Sequence, residues 1–93
     1  MQKNGTIEVH YFAAARAAAG VAHELIDAPA TLIELMEQLA SAHTGTTDAG
    51  MNLGEIFPRC SFLIDGTTST GEPAEVRLDG VRRVDVLPPF AGG

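Results

Sequence analysis

Apolar and polar residues alternate near the start of the chain, over residues 6–13. Ile7, Val9 and Tyr11 share one face, with the period of two that is typical of a half-buried strand. Phe12 falls on the opposite, otherwise polar face. The pattern predicts a first strand with an inward apolar face and one aromatic side chain on its outward face.

An alanine-rich segment follows, and it ends at Gly20. Alanine has the highest helix propensity, but the segment is short, so it predicts a turn of helix or a compact connection. Residues 21–27 then predict a second strand. Because so few residues separate the two strands, we expect them to pair as a hairpin-like unit.

The strongest local signal predicts a helix from Thr31 to about His43. Thr31 is a good N-cap, and Glu34 three residues later completes a T-x-x-E capping box. Apolar residues then recur at helical spacing, at Leu32, Leu35, Met36 and Leu39. This segment predicts one amphipathic helix that packs on a sheet.

The second half of the chain alternates loops with short strands. Residues 44–53 predict a loop, residues 54–58 a short helical turn, and residues 60–64 a strand with Cys60, Phe62 and Ile64 inward. The Asp-Gly pair at residues 65–66 predicts a tight turn, and residues 67–73 are polar and irregular.

The last part of the chain returns to strand-like patterns. Residues 76–78 predict a short strand or a bridge, and the Asp-Gly pair at residues 79–80 predicts another tight turn. Residues 83–87 predict the final strand, with Val84 and Val86 inward and Asp85 and Leu87 outward.

The element order is strand, strand, helix, strand, short piece, strand. This order predicts an α+β fold with one main helix across one face of a mixed sheet of four to five strands. If the last strand lies beside the first, the arrangement is the β-grasp. Residues 1–93 are expected to form a single domain with a flexible C-terminal tail at residues 88–93.

The charge, cysteine and histidine content of the chain argues against several kinds of functional site. A formal net charge of −6 argues against a nucleic-acid-binding surface, which needs clustered lysine and arginine. The single cysteine, Cys60, excludes an internal disulfide and a thiolate metal cage, and its place on the inward face indicates a structural residue. The three histidines lack the spacing of metal ligands, so no metal site is expected.

Targeting signals are also missing from the sequence. No apolar run approaches the roughly 20 residues of a membrane span, and the N-terminal residues lack the apolar segment of a signal peptide. We therefore expect a cytoplasmic protein that does not contact a membrane.

The C-terminal segment has the most distinctive order of residues in the chain: Leu87, Pro88, Pro89, Phe90, Ala91, Gly92 and Gly93. The two prolines end the strand and stiffen its exit, because proline fixes φ and cannot donate to a ladder. The two glycines lack side chains and could thread a channel too narrow for a Cβ atom. The reactive group at this end is the carboxylate of Gly93.

Several segments together resemble one family. The family is that of the small subunit of molybdopterin synthase (MoaD type), in the MoaD/ThiS ubiquitin-like family. Residues 9–20 resemble its opening, and residues 31–35 resemble the start of its helix. Residues 63–66 resemble its "I-D-G" turn, and residues 78–93 resemble its closing "P-P-x-x-G-G". The resemblance covers nearly the whole chain, and the double proline with the terminal glycines is its specific part. Residues 81–83, Val-Arg-Arg, depart from the acidic residue often found there, and residues 44–53 and 67–73 are longer or more polar than in compact members.

The resemblance implies a β-grasp fold and a sulfur-carrier cycle. An E1-like adenylating enzyme would use ATP to convert the Gly93 carboxylate to an acyl-adenylate, and a sulfur donor protein would convert it to a thiocarboxylate. The tail, with Gly92 and Gly93, would then enter the large subunit of molybdopterin synthase and deliver sulfur to cyclic pyranopterin monophosphate. The chain itself would bind no cofactor and would act as the non-catalytic subunit of a heterotetramer.

The outward face of the predicted sheet is the candidate partner surface. Phe12, Leu63 and Leu87 fall on this face of three strands and would form an apolar patch on a polar surface. The resemblance implies that this face contacts both the adenylating enzyme and the large subunit. Four further partner-binding residues are predicted in the tail: Pro88, Pro89, Phe90 and Ala91.

Other functions stay open at this point. A carrier for thiamine or cysteine biosynthesis would use the same chemistry. A ubiquitin-like modifier would join Gly93 to lysines of target proteins, and a plain interaction module would leave the Gly-Gly end unused.

Overall fold

The computed structural model describes residues 5–47 and 49–89. The elements, in chain order, are β1 (Thr6–Tyr11), α1 (Ala13–Ala19), β2 (His23–Asp27), α2 (Leu32–Ala42), α3 (Leu53–Ile56), a 3-10 turn (Phe57–Arg59), β3 (Ser61–Ile64), β4 (Thr67–Thr68) and β5 (Arg83–Leu87). The order of helices and strands agrees with the sequence-based prediction.

The strands form one mixed sheet in the order β2-β1-β5-β3-β4. β5 pairs in parallel with β1, with Val86 opposite Tyr11, and antiparallel with β3, with Val86 opposite Phe62. The last strand therefore lies at the centre, beside the first strand. This confirms the predicted β-grasp topology.

The core lies between one face of the sheet and the helices. The inward side chains of β1 and β5 are fully or almost fully buried: Ile7, Val9, Tyr11, Val84 and Val86. The buried side of α2 faces them through three leucines, Leu32, Leu35 and Leu39. These are the positions that the period-two and helical patterns predicted, and burial of each such side chain contributes about 1.5–3 kcal/mol.

The N-terminus of α2 departs from the expected capping box in one hydrogen bond. The Thr31 hydroxyl accepts from the Glu34 backbone N–H at 3.4 Å, as predicted. The Glu34 carboxylate, however, accepts from the backbone N–H of Ala30 at 3.0 Å. A complete capping box instead begins α3, where Asn52 and Glu55 bond each other's backbone N–H groups.

Several segment boundaries differ from the expectation: β1 ends at Tyr11 rather than at residue 13, and β3 begins at Ser61 rather than at residue 60. β2 begins at His23 rather than at Val21. Residues 67–73, expected to be irregular, contribute the short edge strand β4. The short strand or bridge predicted at residues 76–78 is confirmed as an isolated bridge, in which Arg77 pairs with Thr31. Short strands such as β4 depend on a neighbouring strand for their hydrogen bonds, which local sequence does not report.

Candidate partner-binding face and C-terminal exit

The central strand β5 is followed directly by two prolines, Pro88 and Pro89. β5 ends at Leu87, as the prolines predicted. Pro88 is buried and Pro89 is exposed. Pro88 therefore packs against the body of the protein, and Pro89, the last described residue, lies at its surface. The predicted site residues Phe90, Ala91, Gly92 and Gly93 lie outside the described residues.

Phe12 and Leu87 lie next to each other at this exit. The Phe12 backbone N–H donates to the carbonyl of Val86 at 3.2 Å, which continues the β1–β5 pairing by one residue. The Phe12 side chain is 39% exposed, which is unusual for a large aromatic residue. Since Tyr11 lies opposite Val86, the next residues on the two strands share the outer face. Phe12 and Leu87 therefore lie beside the point where the C-terminal segment begins.

Leu63 lies on the same outer face but not directly beside Leu87. Its partner on β5 is Asp85, and Ser61 is the residue opposite Leu87. Leu63 and Leu87 are consequently diagonal neighbours, at a separation of about 7–8 Å that long side chains can still bridge. The structure brings the three predicted apolar residues onto one face, around a polar centre.

That centre is Asp85. The residue points outward, as predicted, yet only 8% of it is exposed. Its carboxylate accepts a hydrogen bond from Arg83 Nε at 2.7 Å, and the Arg83 side chain remains 47% exposed. Neighbouring side chains cover the Asp85 carboxylate, and Arg83 supplies its charged hydrogen-bond partner. The apolar patch of Phe12, Leu63 and Leu87 therefore contains one charge that is already paired within the protein.

Two histidines extend this face toward the sheet edge. His10 lies opposite His23 on β2, and their rings stack with centroids 5.2 Å apart. His10 Nε2 donates to the Glu8 carboxylate at 3.0 Å, and this hydrogen bond lowers the pKa of Glu8. Sequence reasoning did not find this stack, because it depends on the register of β1 against β2.

Cys60 is half-buried between the 3-10 turn and β3. Its thiol donates to the carbonyl of Ile56 at 3.3 Å, and burial raises the pKa of the Cys60 thiol to about 11. A thiol with this pKa is almost entirely protonated near neutral pH and is a poor nucleophile. The inward, structural placement predicted for Cys60 agrees with its contacts.

A second polar cluster lies at the margin of the core. One oxygen of the Glu24 carboxylate accepts from the Tyr11 hydroxyl and from His43 Nε2, each at 2.5 Å. Burial and the Glu24 hydrogen bond together raise the pKa of Tyr11 far above its usual range. The sequence contained one signal for this cluster. Because Tyr11 was predicted to face inward, its hydroxyl needed a hydrogen-bond partner in or near the core.

The described residues hold neither a candidate metal site nor a membrane-spanning helix. Among residues 5–47 and 49–89, no group of three or more His, Cys, Asp or Glu side chains could hold a metal ion. Within the same ranges, no helix has the length and apolarity needed to cross a membrane.

Comparison with solved structures relates this fold to archaeal proteins. SAMP1 from Haloferax volcanii matches with 23% identity and a TM-score of 0.67, over 96% of this chain and 100% of that one. Small archaeal modifier protein 1 from Methanosarcina acetivorans matches with 22% identity and a TM-score of 0.68, over 96% and 97% of the two chains. A putative molybdopterin converting factor, subunit 1, from Pyrococcus furiosus matches with 23% identity and a TM-score of 0.59, over 92% and 99%.

These likenesses establish the shared fold. No curated protein matches the chain at the level of sequence. A family model described as the ThiS family matches residues 9–93, which is nearly the whole chain. The protein therefore belongs to the ThiS family, with the ubiquitin-like β-grasp fold.

Proposed function

We propose that this protein is a sulfur carrier that serves as the small subunit of molybdopterin synthase. The Gly93 carboxylate becomes an acyl-adenylate, then a thiocarboxylate, and finally the sulfur source for cyclic pyranopterin monophosphate. The observation that carries the proposal is that the family match runs through Gly92 and Gly93, and that the preceding strand, β5, ends beside Phe12.

The chemistry of the cycle explains why a carrier needs activation. A C-terminal carboxylate has a pKa near about 3.5, so at neutral pH it is an anion that resists nucleophilic attack. Its oxygen attacks the α-phosphorus of ATP, pyrophosphate leaves, and the acyl-adenylate now has AMP as a good leaving group. The terminal sulfur of a persulfide on the donor protein displaces AMP and forms an acyl disulfide. A second thiol of the donor then attacks the donor's own sulfur of that disulfide, forms a donor disulfide, and releases the thiocarboxylate.

In this proposal the chain contributes positioning rather than catalysis. The buried Pro88 sets the direction of the exit. The outer-face residues Phe12, Leu63 and Leu87 dock the partner, and Pro89, Phe90 and Ala91 lie in the path to its active site. ATP belongs to the adenylating enzyme, so the carrier itself needs no cofactor.

Three partners follow from the cycle. They are an E1-like adenylating enzyme, a sulfur donor protein and the large subunit of molybdopterin synthase, with which the carrier forms a heterotetramer. Both the adenylating enzyme and the large subunit use the same outer face, so they bind in turn. The location that fits these soluble partners is the cytoplasm.

Intact mass spectrometry tests the carrier step. The full-length protein is incubated with its adenylating enzyme, ATP and a sulfur donor. We expect a mass gain equal to the exchange of one oxygen for sulfur, and no gain in a variant that lacks Gly93. Absence of any gain with every donor tried would overturn the sulfur-carrier proposal.

The biosynthetic branch requires a separate test. We expect the gene to restore molybdopterin synthesis in a strain that lacks the small subunit, when its own large subunit is supplied. Restoration of thiamine or cysteine synthesis instead would keep the carrier chemistry and reassign the branch.

A second candidate function is that of a ubiquitin-like protein modifier. The observation that favours it is the likeness to two proteins named as small archaeal modifiers. In this case Gly93 forms an isopeptide bond with target lysines. Epitope-tagged protein would then appear in many high-mass conjugates on a denaturing gel, and these would disappear when Gly93 is deleted.

A further inference from the structure

β2 forms one edge of the sheet, and the proposed docking residues Phe12, Leu63 and Leu87 lie outside it. At its centre lies Leu25, which is 63% exposed, the largest exposed fraction among the large apolar residues of residues 5–47 and 49–89. Exposed edge strands are templates for pairing with another chain, and proteins often protect them with proline or lysine. The five residues of β2, HELID, contain neither.

The hydrogen bonds to β1 show which backbone groups of β2 face outward. Tyr11 N–H donates to the Ala22 carbonyl, and Ala28 N–H donates to the Gly5 carbonyl. In an antiparallel pair only alternate residues bond to the partner strand. Ala22, Glu24, Ile26 and Ala28 therefore point toward β1. The backbone groups of His23, Leu25 and Asp27 point to the free edge.

The outward residues His23, Leu25 and Asp27 are complementary to the same three residues of a second copy that runs antiparallel. We propose that β2 pairs antiparallel with β2 of a second copy of this chain, in the register that places Leu25 opposite Leu25 of the second copy. His23 then lies opposite Asp27 of the second copy, and Asp27 opposite His23. All three are hydrogen-bonded pairs, so every outward N–H and C=O group of the three residues finds a partner.

The side chains support the same register. His23, Leu25 and Asp27 share the outer face, because they pair with His10, Glu8 and Thr6 of β1. Across the dimer axis, an imidazole N–H meets a carboxylate on each side of a leucine pair. A shift by two residues in either direction would lose one of the three pairs and would place Leu25 opposite a polar residue.

The proposed dimer has a defined geometry. The two-fold axis is perpendicular to the sheet at Leu25, so the two sheets join into one of ten strands, with both outer faces on the same side. Strand β1 separates β2 from β5, so the two tail exits lie away from the interface and point in opposite directions. Dimerisation therefore leaves the C-terminal ends of both β5 strands, at Leu87, away from the contact.

The contact is small. Pairing of two five-residue strands buries less than the roughly 1,200 Å² of a standard stable interface. We therefore expect a weak, reversible dimer that is populated at high protein concentration, rather than a permanent one.

Sedimentation equilibrium and NMR dilution series of the full chain test the proposal. We expect concentration-dependent association, with amide shift changes concentrated on β2. Leu25→Lys places two like charges on the dimer axis and should weaken association by about tenfold or more. Gln38→Lys is the control with the same change of charge, because Gln38 is exposed on α2, on the other side of the sheet and away from β2. It should associate as the unmodified protein does.

A charge exchange tests the register. Asp27→Lys places a lysine opposite His23 of the second copy and should weaken association. Adding His23→Asp to that variant places aspartate opposite lysine and should restore it. A monomer at millimolar concentration, shift changes outside β2, or failure of the double variant to recover association while it remains folded would each overturn the proposal.

Discussion

The Asp65 carboxylate accepts a hydrogen bond from the backbone N–H of Arg83 at 2.9 Å, and so joins the β3–β4 turn to the start of β5. The same Oδ1 atom accepts from the N–H of Arg82 at 3.0 Å. Asp65 and Gly66 have φ values of 49° and 87°, both in the left-handed region that a type I′ hairpin turn requires. One residue thus shapes the turn and also holds the first residue of the central strand.

Replacement of Asp65 should separate these two roles. Asp65→Ala removes the acceptor and places alanine at positive φ, so we expect the free energy of unfolding to fall by about 2–3 kcal/mol. Asp65→Asn keeps an oxygen acceptor and tolerates this φ, so its loss should stay below about 1 kcal/mol. Urea denaturation measures both. Equal losses in the two variants would contradict the role assigned to the carboxylate.

Tyr11 should titrate well above the usual range of tyrosine. The chain contains one tyrosine and no tryptophan, so phenolate absorbance reports Tyr11 alone. Because its folded-state pKa is raised, the neutral phenol stabilises the fold fully below about pH 10, and this contribution is lost as pH rises further. We expect little phenolate absorbance in the folded protein at pH 10–11 and a large increase on unfolding.

The Tyr11→Phe variant provides the stability control. It removes the hydroxyl that donates to Glu24, so the free energy of unfolding at pH 7 should fall by about 1–2 kcal/mol. Above about pH 10 its stability should decline less steeply than that of the unmodified protein. The same alkaline decline in both proteins would show that another group causes it.

Phe12 should contribute to partner binding but little to folding. Its side chain is 39% exposed, so Phe12→Ala should change the free energy of unfolding by less than about 1 kcal/mol. If the outer face docks the adenylating enzyme, the affinity should fall about tenfold or more, as for a buried interface aromatic. Calorimetric titration with the purified enzyme measures this loss. The matched variant Leu25→Ala, at 63% exposure opposite Glu8 and far along β1 from Phe12, should bind normally.

Cys60 should not carry the transferred sulfur. Its thiol is half-buried, and the raised pKa keeps it protonated near neutral pH. We therefore expect Cys60→Ala to gain the same sulfur-for-oxygen mass as the unmodified protein, while deletion of Gly93 abolishes the gain. A folded Cys60→Ala variant that gains no sulfur would assign the transfer to the thiol instead.

Local sequence determined the elements whose signal lies within a few residues. Alternation defined β1 and its inward residues, and the apolar spacing with Thr31 defined α2. The Asp-Gly pair predicted the turn after β3, because this dipeptide accepts the two positive φ values that a tight hairpin needs. The alternation of inward and outward residues along the strands also predicted that Phe12, Leu63 and Leu87 lie on the outward face.

Only the tertiary structure decided which side chains from distant segments meet. Asp85 was correctly placed on the outward face, yet its burial depends on neighbours supplied by β1 and β3. The contact of Tyr11 with Glu24 and His43, the stack of His10 on His23, and the free edge at Leu25 depend equally on strand order and register. Residue periodicity reports the face on which a side chain lies, but not its neighbours, because pairing energy is set by contacts between segments far apart in the chain.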